Sequence, residues 1–100
     1  MKLLWTEEAI SNLCEIEKFI ARDNSEIAIK FVEKLISLAE TLVKYPKKGR
    51  IVPELSIEQI REVIYKKYRI VYLIKEESIE ILTVFESHKL LREDEIIKRR

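Results

Sequence analysis

The chain has 100 residues, enough for one domain that buries a core without metals or disulfides. Hydrophobic residues make up 47% and charged residues 37%, which excludes a disordered chain, and one Gly with two Pro excludes collagen-like or low-complexity character. Nineteen basic residues, counted as Lys+Arg 19, balance Asp+Glu 18, and the net charge of +1 provides no global attraction to nucleic acid, so any such binding needs a local patch.

Met1 to Thr6 is a short apolar run that reads as an opening strand. Thr6 is a helix cap, and Glu7 and Glu8 suit a helix N-terminus. Ala9, Leu13, Ile16 and Ile20 recur in steps of three and four and predict a helix from about Thr6 to Arg22. Asp23 with Glu26 three residues later resembles a capping box. Ala28, Phe31, Leu35, Leu38, Leu42 and Tyr45 then mark the buried face of a second helix, which ends where Pro46 disfavours helical geometry at Tyr45. Two amphipathic helices with a tight joint make an antiparallel hairpin.

Residues 47–58 form the one long connection. Beyond it the period changes to two, and the β-branched and aromatic runs Gln59 to Tyr65, Tyr68 to Ile74 and Ile79 to Phe85 predict three antiparallel strands joined by short turns. Tyr68, Ile70, Tyr72 and Ile74 fall on one face, and Arg69, Val71 and Leu73 on the other. The segment from Leu90 to Arg100 reads as a short helix with Leu90, Leu91, Ile96 and Ile97 as its covering face. The predicted architecture is α+β, in the order β-α-α-β-β-β with an antiparallel sheet, a helical hairpin on one face and a C-terminal helix, all in one domain over residues 1–100.

Most catalytic motifs are absent. One Gly cannot build a phosphate-binding loop, and Cys14 and His88 alone cannot hold zinc, so neither cofactor nor metal is expected. Cys14, next to Leu13, is expected to pack at the core boundary. A lone Cys, no run long enough for a membrane span and an acidic start unlike a signal peptide suit a cytoplasmic protein without a membrane partner. Arg69 in a central strand is informative, because an unpaired buried charge is costly. Two readings stay open for it: an ion pair with Glu62 or Glu86, or contact with a phosphate or partner. Lys47, Lys48, Arg50, Arg61, Lys66, Lys67 and Arg69, followed by His88, Lys89 and Arg92, are basic enough to suit phosphate contacts if the fold gathers them at one edge.

Several pieces, in order, resemble the RelE/ParE superfamily, the toxins of type II toxin–antitoxin pairs. They are Trp5-Thr6 with Ala9 and Leu13, the segment from Tyr45 to Glu54, the strand Ile60-Arg61-Glu62-Val63, and Tyr68-Arg69-Ile70-Val71-Tyr72. The resemblance extends to about Leu91 and favours the ParE-like branch through Gly49-Arg50 with Pro53-Glu54 and through Arg61-Glu62-Val63. It implies a non-enzymatic toxin that poisons DNA gyrase and is silenced by a cognate antitoxin. The alternative it implies is a RelE-like endoribonuclease that cuts messenger RNA on the ribosome, with Arg61, Arg69, His88 and Lys89 as the site. Against that alternative, nothing aromatic follows Phe85 where many such nucleases have a tyrosine, and Glu86 occupies the place of a histidine. Partner contacts are expected at Arg61, Arg69, Val71, Leu73, Leu82, Val84, His88, Lys89 and Arg92. Val71, Leu73, Leu82 and Val84 are read as one apolar face turned away from Tyr68. A sheet that buries one face alternates with polar residues, so this second face is expected to be covered by the C-terminal helix or by an antitoxin segment.

Overall fold

Thr6 joins the first two elements of the computed structural model, which describes residues 1–87. Strand β1 (Lys2–Trp5) runs into it and helix α1 (Glu7–Ala21) leaves it. The Thr6 hydroxyl accepts from the Ala9 amide at 3.0 Å, satisfying one of the orphan donors at the helix start. Helix α2 (Ser25–Lys44) is capped by Asn24, whose Oδ1 accepts from the Ile27 amide at 3.0 Å. The cap expected at Asp23 is therefore displaced by one residue, and with Ile27 three residues on it is a simple cap and not a capping box: both side chains suit a cap, and it is Asn24 that takes the extended backbone a cap requires. Pro46 ends α2 as expected and opens a 3₁₀ turn, Pro46–Lys48.

The sheet has the order β1-β5-β4-β3-β2, built from β2 (Arg50–Ile51), β3 (Ile60–Tyr65), β4 (Tyr68–Ile74) and β5 (Ser78–Glu86). The β2–β3, β3–β4 and β4–β5 pairs are antiparallel and β1–β5 is parallel, so the sheet is mixed. Strand β2 falls inside the connection that reads as irregular from sequence. It has two residues, Arg50 opposite Glu62 and Ile51 opposite Arg61, too few for alternation to show.

The helical hairpin covers one face of the sheet. Ala9, Leu13 and Ile16 of α1 and Leu35, Ala39 and Leu42 of α2 meet Ile70, Tyr72, Ile79, Ile81 and Val84. Phe31 lies 5.5 Å from the rings of both Tyr65 and Tyr68, at angles that favour aromatic pairing. The other face carries a second core of Val52, Leu55, Ile60, Val71, Leu73 and Leu82, with Ile57 and Phe85 packed against it. Among the described residues, then, the second face is covered by the connection 52–59, which folds back over the sheet as a strap. The expected C-terminal helix lies outside the described residues.

One irregularity changes the face assignment. Tyr72 pairs with Ile81 and Val71 with Thr83, so Leu82 is an extra residue in β5, a bulge. Before it, Ile79 and Ile81 face the helices; beyond it, Val84 does, opposite Ile70. Val84 is thus on the same side as Tyr68 and not with Val71, because period two fails across the extra residue. The bulge sits where β1 stops pairing. Thr6 donates from its amide to the Ile81 carbonyl at 3.1 Å and from its hydroxyl to the Leu82 carbonyl at 2.9 Å. Beyond that point Asn12 Oδ1 accepts from the Val84 amide at 2.9 Å and the Thr83 hydroxyl at 3.0 Å. A side chain of α1 takes over the bonding role that β1 gives up.

Candidate functional site

Glu62 on β3 stands opposite Val71, and Arg69 on β4 stands opposite Ile64, so the two are diagonal neighbours on the strap-covered face. Arg69 Nε donates to Glu62 Oε1 at 2.6 Å, and Nη2 lies 2.5 Å from the same oxygen. The far side of the guanidinium meets Glu54 of the strap in a bidentate pair, Nη1 to Oε2 at 2.7 Å and Nη2 to Oε1 at 2.9 Å. Glu62 Oε2 accepts from Arg50 Nε at 2.6 Å. Phe85 lies under the guanidinium, 5.1 Å from its central carbon. The Arg69 side chain is 5% exposed, Glu62 0% and Glu54 22%.

Of the two open readings of Arg69, the ion pair with Glu62 is present, and Glu54 joins it. The hydrogen bonds that Arg69 donates to Glu54 raise its pKa further, burial opposes this, and Glu62 adds in the same direction as Glu54. Two carboxylates and two guanidinium groups are formally neutral together. Their work is mechanical: Glu54 ties the strap to β4, and Arg50 ties β2 to β3. Removing Arg69 or Glu62, the two buried members, strands the other, at a cost of about 3–5 kcal/mol, whereas Arg50, with 59% of its side chain exposed, is screened by solvent. From sequence, Arg50 stands in the basic stretch and both Arg50 and Glu54 in the family resemblance, but not as partners of Glu62 and Arg69. The available signal was that Glu62 and Arg69 occupy inward positions of neighbouring strands with opposite charge, which demands further partners for the lone pairs and donors left over.

A second polar cluster lies on the helix side. Tyr72 is fully buried; its hydroxyl accepts from the Gly49 amide at 3.0 Å and donates to the Pro46 carbonyl at 2.6 Å. Burial raises its pKa, while the Gly49 bond and the charge of Arg61 act the other way. Arg61 donates from Nη1 to the Gly49 carbonyl and from Nε to the Glu58 carbonyl, both at 3.1 Å. Gly49 is required by proximity: a Cβ there would lie 2.5 Å from the Glu62 carbonyl oxygen and 2.6 Å from the Tyr72 hydroxyl.

The predicted site residues do not converge as a set. Arg61, opposite Tyr72, lies on the helix side, and Arg69 on the strap side. Lys66-Lys67 form the β3–β4 turn, whereas Lys47 and Lys48 lie beside the opposite ends of those strands, sharing a hollow with Ile74. Val71, Leu73 and Leu82 are interior residues under the strap, and Val84 is interior under α1. Cys14 is exposed, not at the core boundary, because Leu13 takes the inward position of that turn. His88, Lys89 and Arg92 lie outside the described residues. Among the described residues no group of three His, Cys, Asp or Glu side chains is placed to hold a metal, and no helix is long and apolar enough to cross a membrane.

A helical hairpin laid on one face of a five-stranded mixed sheet is an α+β architecture. Residues 3–90 match the family described as ParE toxin of type II toxin–antitoxin system, parDE, and the chain belongs to that family. It is 32% identical over 90 residues to a Sinorhizobium fredii (strain NBRC 101917 / NGR234) protein named "Putative toxin Y4kP", covering 88% of this chain and 90% of the relative. Its fold is similar to a chain of the solved "Chromosomal ParDE TA system from P. aeruginosa", with a TM-score of 0.72 at 21% identity over 86% of this chain and 95% of that one.

Proposed function

We propose that this ParE-family toxin arrests growth in the cytoplasm by poisoning DNA gyrase, as a binding protein and not as an enzyme, and that a cognate antitoxin silences it. The observation that carries the non-enzymatic reading is the state of Arg69. A nuclease of this superfamily needs cations turned toward the scissile phosphate to stabilise its growing charge. Here the central arginine is spent on Glu62 and Glu54, and its formal charge is matched within the fold. Family membership supports the antitoxin. The runner-up, a RelE-like endoribonuclease using His88 and Lys89, is separated by two assays on purified protein. Gyrase with supercoiled plasmid should accumulate broken DNA, programmed ribosomes should keep their message intact, and His88→Ala should leave toxicity largely in place. Cleaved message with gyrase unaffected would refute the proposal.

The antitoxin tail is proposed to compete with the strap for the apolar face of Val71, Leu73 and Leu82, with the residues after β5 as polar contacts. Leu55→Ala loosens the strap without altering the sheet, so it should tighten antitoxin binding. Unchanged or weaker binding, with the fold intact, counts against this placement.

A further inference from the structure

The basic residues at the end of α2 take part in none of these contacts. Lys44 is the last helical residue, and the turn after it presents Tyr45, Lys47 and Lys48 to solvent. Tyr45 is 57% exposed, the highest value among the exposed large hydrophobic side chains of the described residues, and Lys44 Nζ lies 5.6 Å from its ring centroid. Beside it opens a broad hollow whose apolar wall includes Pro46 and Ile74. Arg61 flanks the same turn, held by backbone carbonyls of Gly49 and Glu58 and by no carboxylate. Lys44, Lys47 and Lys48 form no ion pair among the described residues; the Lys48 ammonium donates to the Thr41 hydroxyl at 3.3 Å. On the opposing side, Glu76 lines the hollow and Glu80 neutralises Lys75 at 2.8 Å. A chain with a net charge of +1 therefore sets three lysines without an ion pair around one exposed aromatic ring, against one carboxylate, with Arg61 bonded to the end of the same turn at the Gly49 carbonyl.

We propose that this turn is a binding site for single-stranded nucleic acid, with phosphates along Lys44, Lys47, Lys48 and Arg61 and one base stacked on Tyr45. Cations alone would serve any polyanion. The exposed ring with an apolar wall beside it selects an unstacked base, which a duplex does not offer and an acidic peptide lacks. Arg61 is preorganised by its two carbonyl bonds, so little further side-chain freedom is lost when it meets a phosphate. The site is separate from the Arg69 network, on the other face of the sheet, and the inference does not depend on gyrase being the target.

The test is fluorescence anisotropy of the full chain with a labelled oligothymidylate and no other protein. Binding should weaken with salt, with a log–log slope of about −2 to −3 for three or four phosphate contacts. Lys47→Gln with Lys48→Gln should reduce that slope by about 1.4 units. Tyr45→Ala should weaken binding about tenfold or more, and Tyr45→Phe should restore it, since stacking uses the ring and not the hydroxyl. Lys66→Gln with Lys67→Gln, at the far turn, should change nothing. All these positions are exposed, and circular dichroism melting confirms the fold of each variant. Three results overturn the proposal: no binding at low salt, binding indifferent to positions 45, 47 and 48, or equal affinity for duplex DNA or polyglutamate with Tyr45→Ala harmless.

Discussion

Gly49→Ala probes how tightly the 46–49 turn is clamped to the sheet. The backbone of Gly49, at φ −76° and ψ 156°, is one that alanine adopts readily. If the space were open, the substitution would stabilise the protein by about 0.4–1 kcal/mol by restricting the unfolded chain. The space is closed. The new methyl would sit 2.5 Å from a backbone oxygen of β3 and 2.6 Å from the Tyr72 hydroxyl. The oxygen belongs to a paired strand and cannot rotate away, so the turn must lift. Overpacking costs about 1–3 kcal/mol, and loss of the Gly49–Tyr72 hydrogen bond about 1 kcal/mol more. The net expectation is a loss of about 2 kcal/mol, or a melting midpoint lowered by about 8–16 °C for a domain of this size. Tyr72→Phe completes a double-mutant cycle. Alone it costs about 1–3 kcal/mol by leaving buried backbone groups unpaired. Combined with Gly49→Ala it removes one of the two clashes, so the double variant should be more stable than the sum of the singles by about 1 kcal/mol. Urea titration of the four proteins measures this coupling. A Gly49→Ala protein that melts at or above the wild-type temperature refutes the clamped turn.

Thr6→Val should cost about 1–3 kcal/mol, since one hydroxyl both caps α1 and bonds the bulge carbonyl, whereas Thr6→Ser should cost far less; equal losses in chemical denaturation would deny the hydroxyl this double role. Arg69→Ala should cost about 3–5 kcal/mol by stranding Glu62 and Glu54, and Arg69→Lys should recover only part because one ammonium cannot reproduce the bidentate pair; a variant within experimental error of wild type in urea would show the network to be dispensable. Alkaline stability follows from the tyrosines. Burial, acting first, raises the pKa of Tyr72, and burial then Glu86 raise that of Tyr68. The folded state holds these protons longer than the unfolded state, so stability is full below the unfolded value of 10.0 and falls as pH rises above it. Comparison of melting midpoints at neutral and strongly alkaline pH should show a shallower fall in Tyr72→Phe than in wild type, and parallel curves would exclude Tyr72 as a contributor.

What the sequence discloses here depends on how many residues share a pattern. Both helices repeat their apolar step over several turns, so their bounds and inward faces are legible, and β4 is an unbroken β-branched and aromatic run over seven residues, Tyr68–Ile74, so its bounds are too. Strand β2 contributes a single turn of pairing and leaves no periodic trace. The bulge is invisible for a different reason: Leu82-Thr83-Val84 reads as uninterrupted strand, and only the bond from Thr6, a residue far away in the chain, reveals why one extra residue fits there. Arg69 marks the boundary between the two cases. Its charge at an inward position shows that a partner exists, and Glu62 on the neighbouring strand is within reach of a register argument. Glu54 is not, since it arrives from a loop whose path is set by Val52, Leu55 and Ile57 seeking the apolar second face. The same apolar pattern that from sequence calls for an external cover is satisfied, among the described residues, by Val52, Leu55 and Ile57 of the chain's own connection, read as irregular because its hydrophobic residues follow no period. The strap, held by three apolar side chains and one bidentate ion pair, is the part of the second core that lies outside the sheet, and that is why the antitoxin is proposed to act there and why Leu55, and not a sheet residue, is the position that tests it.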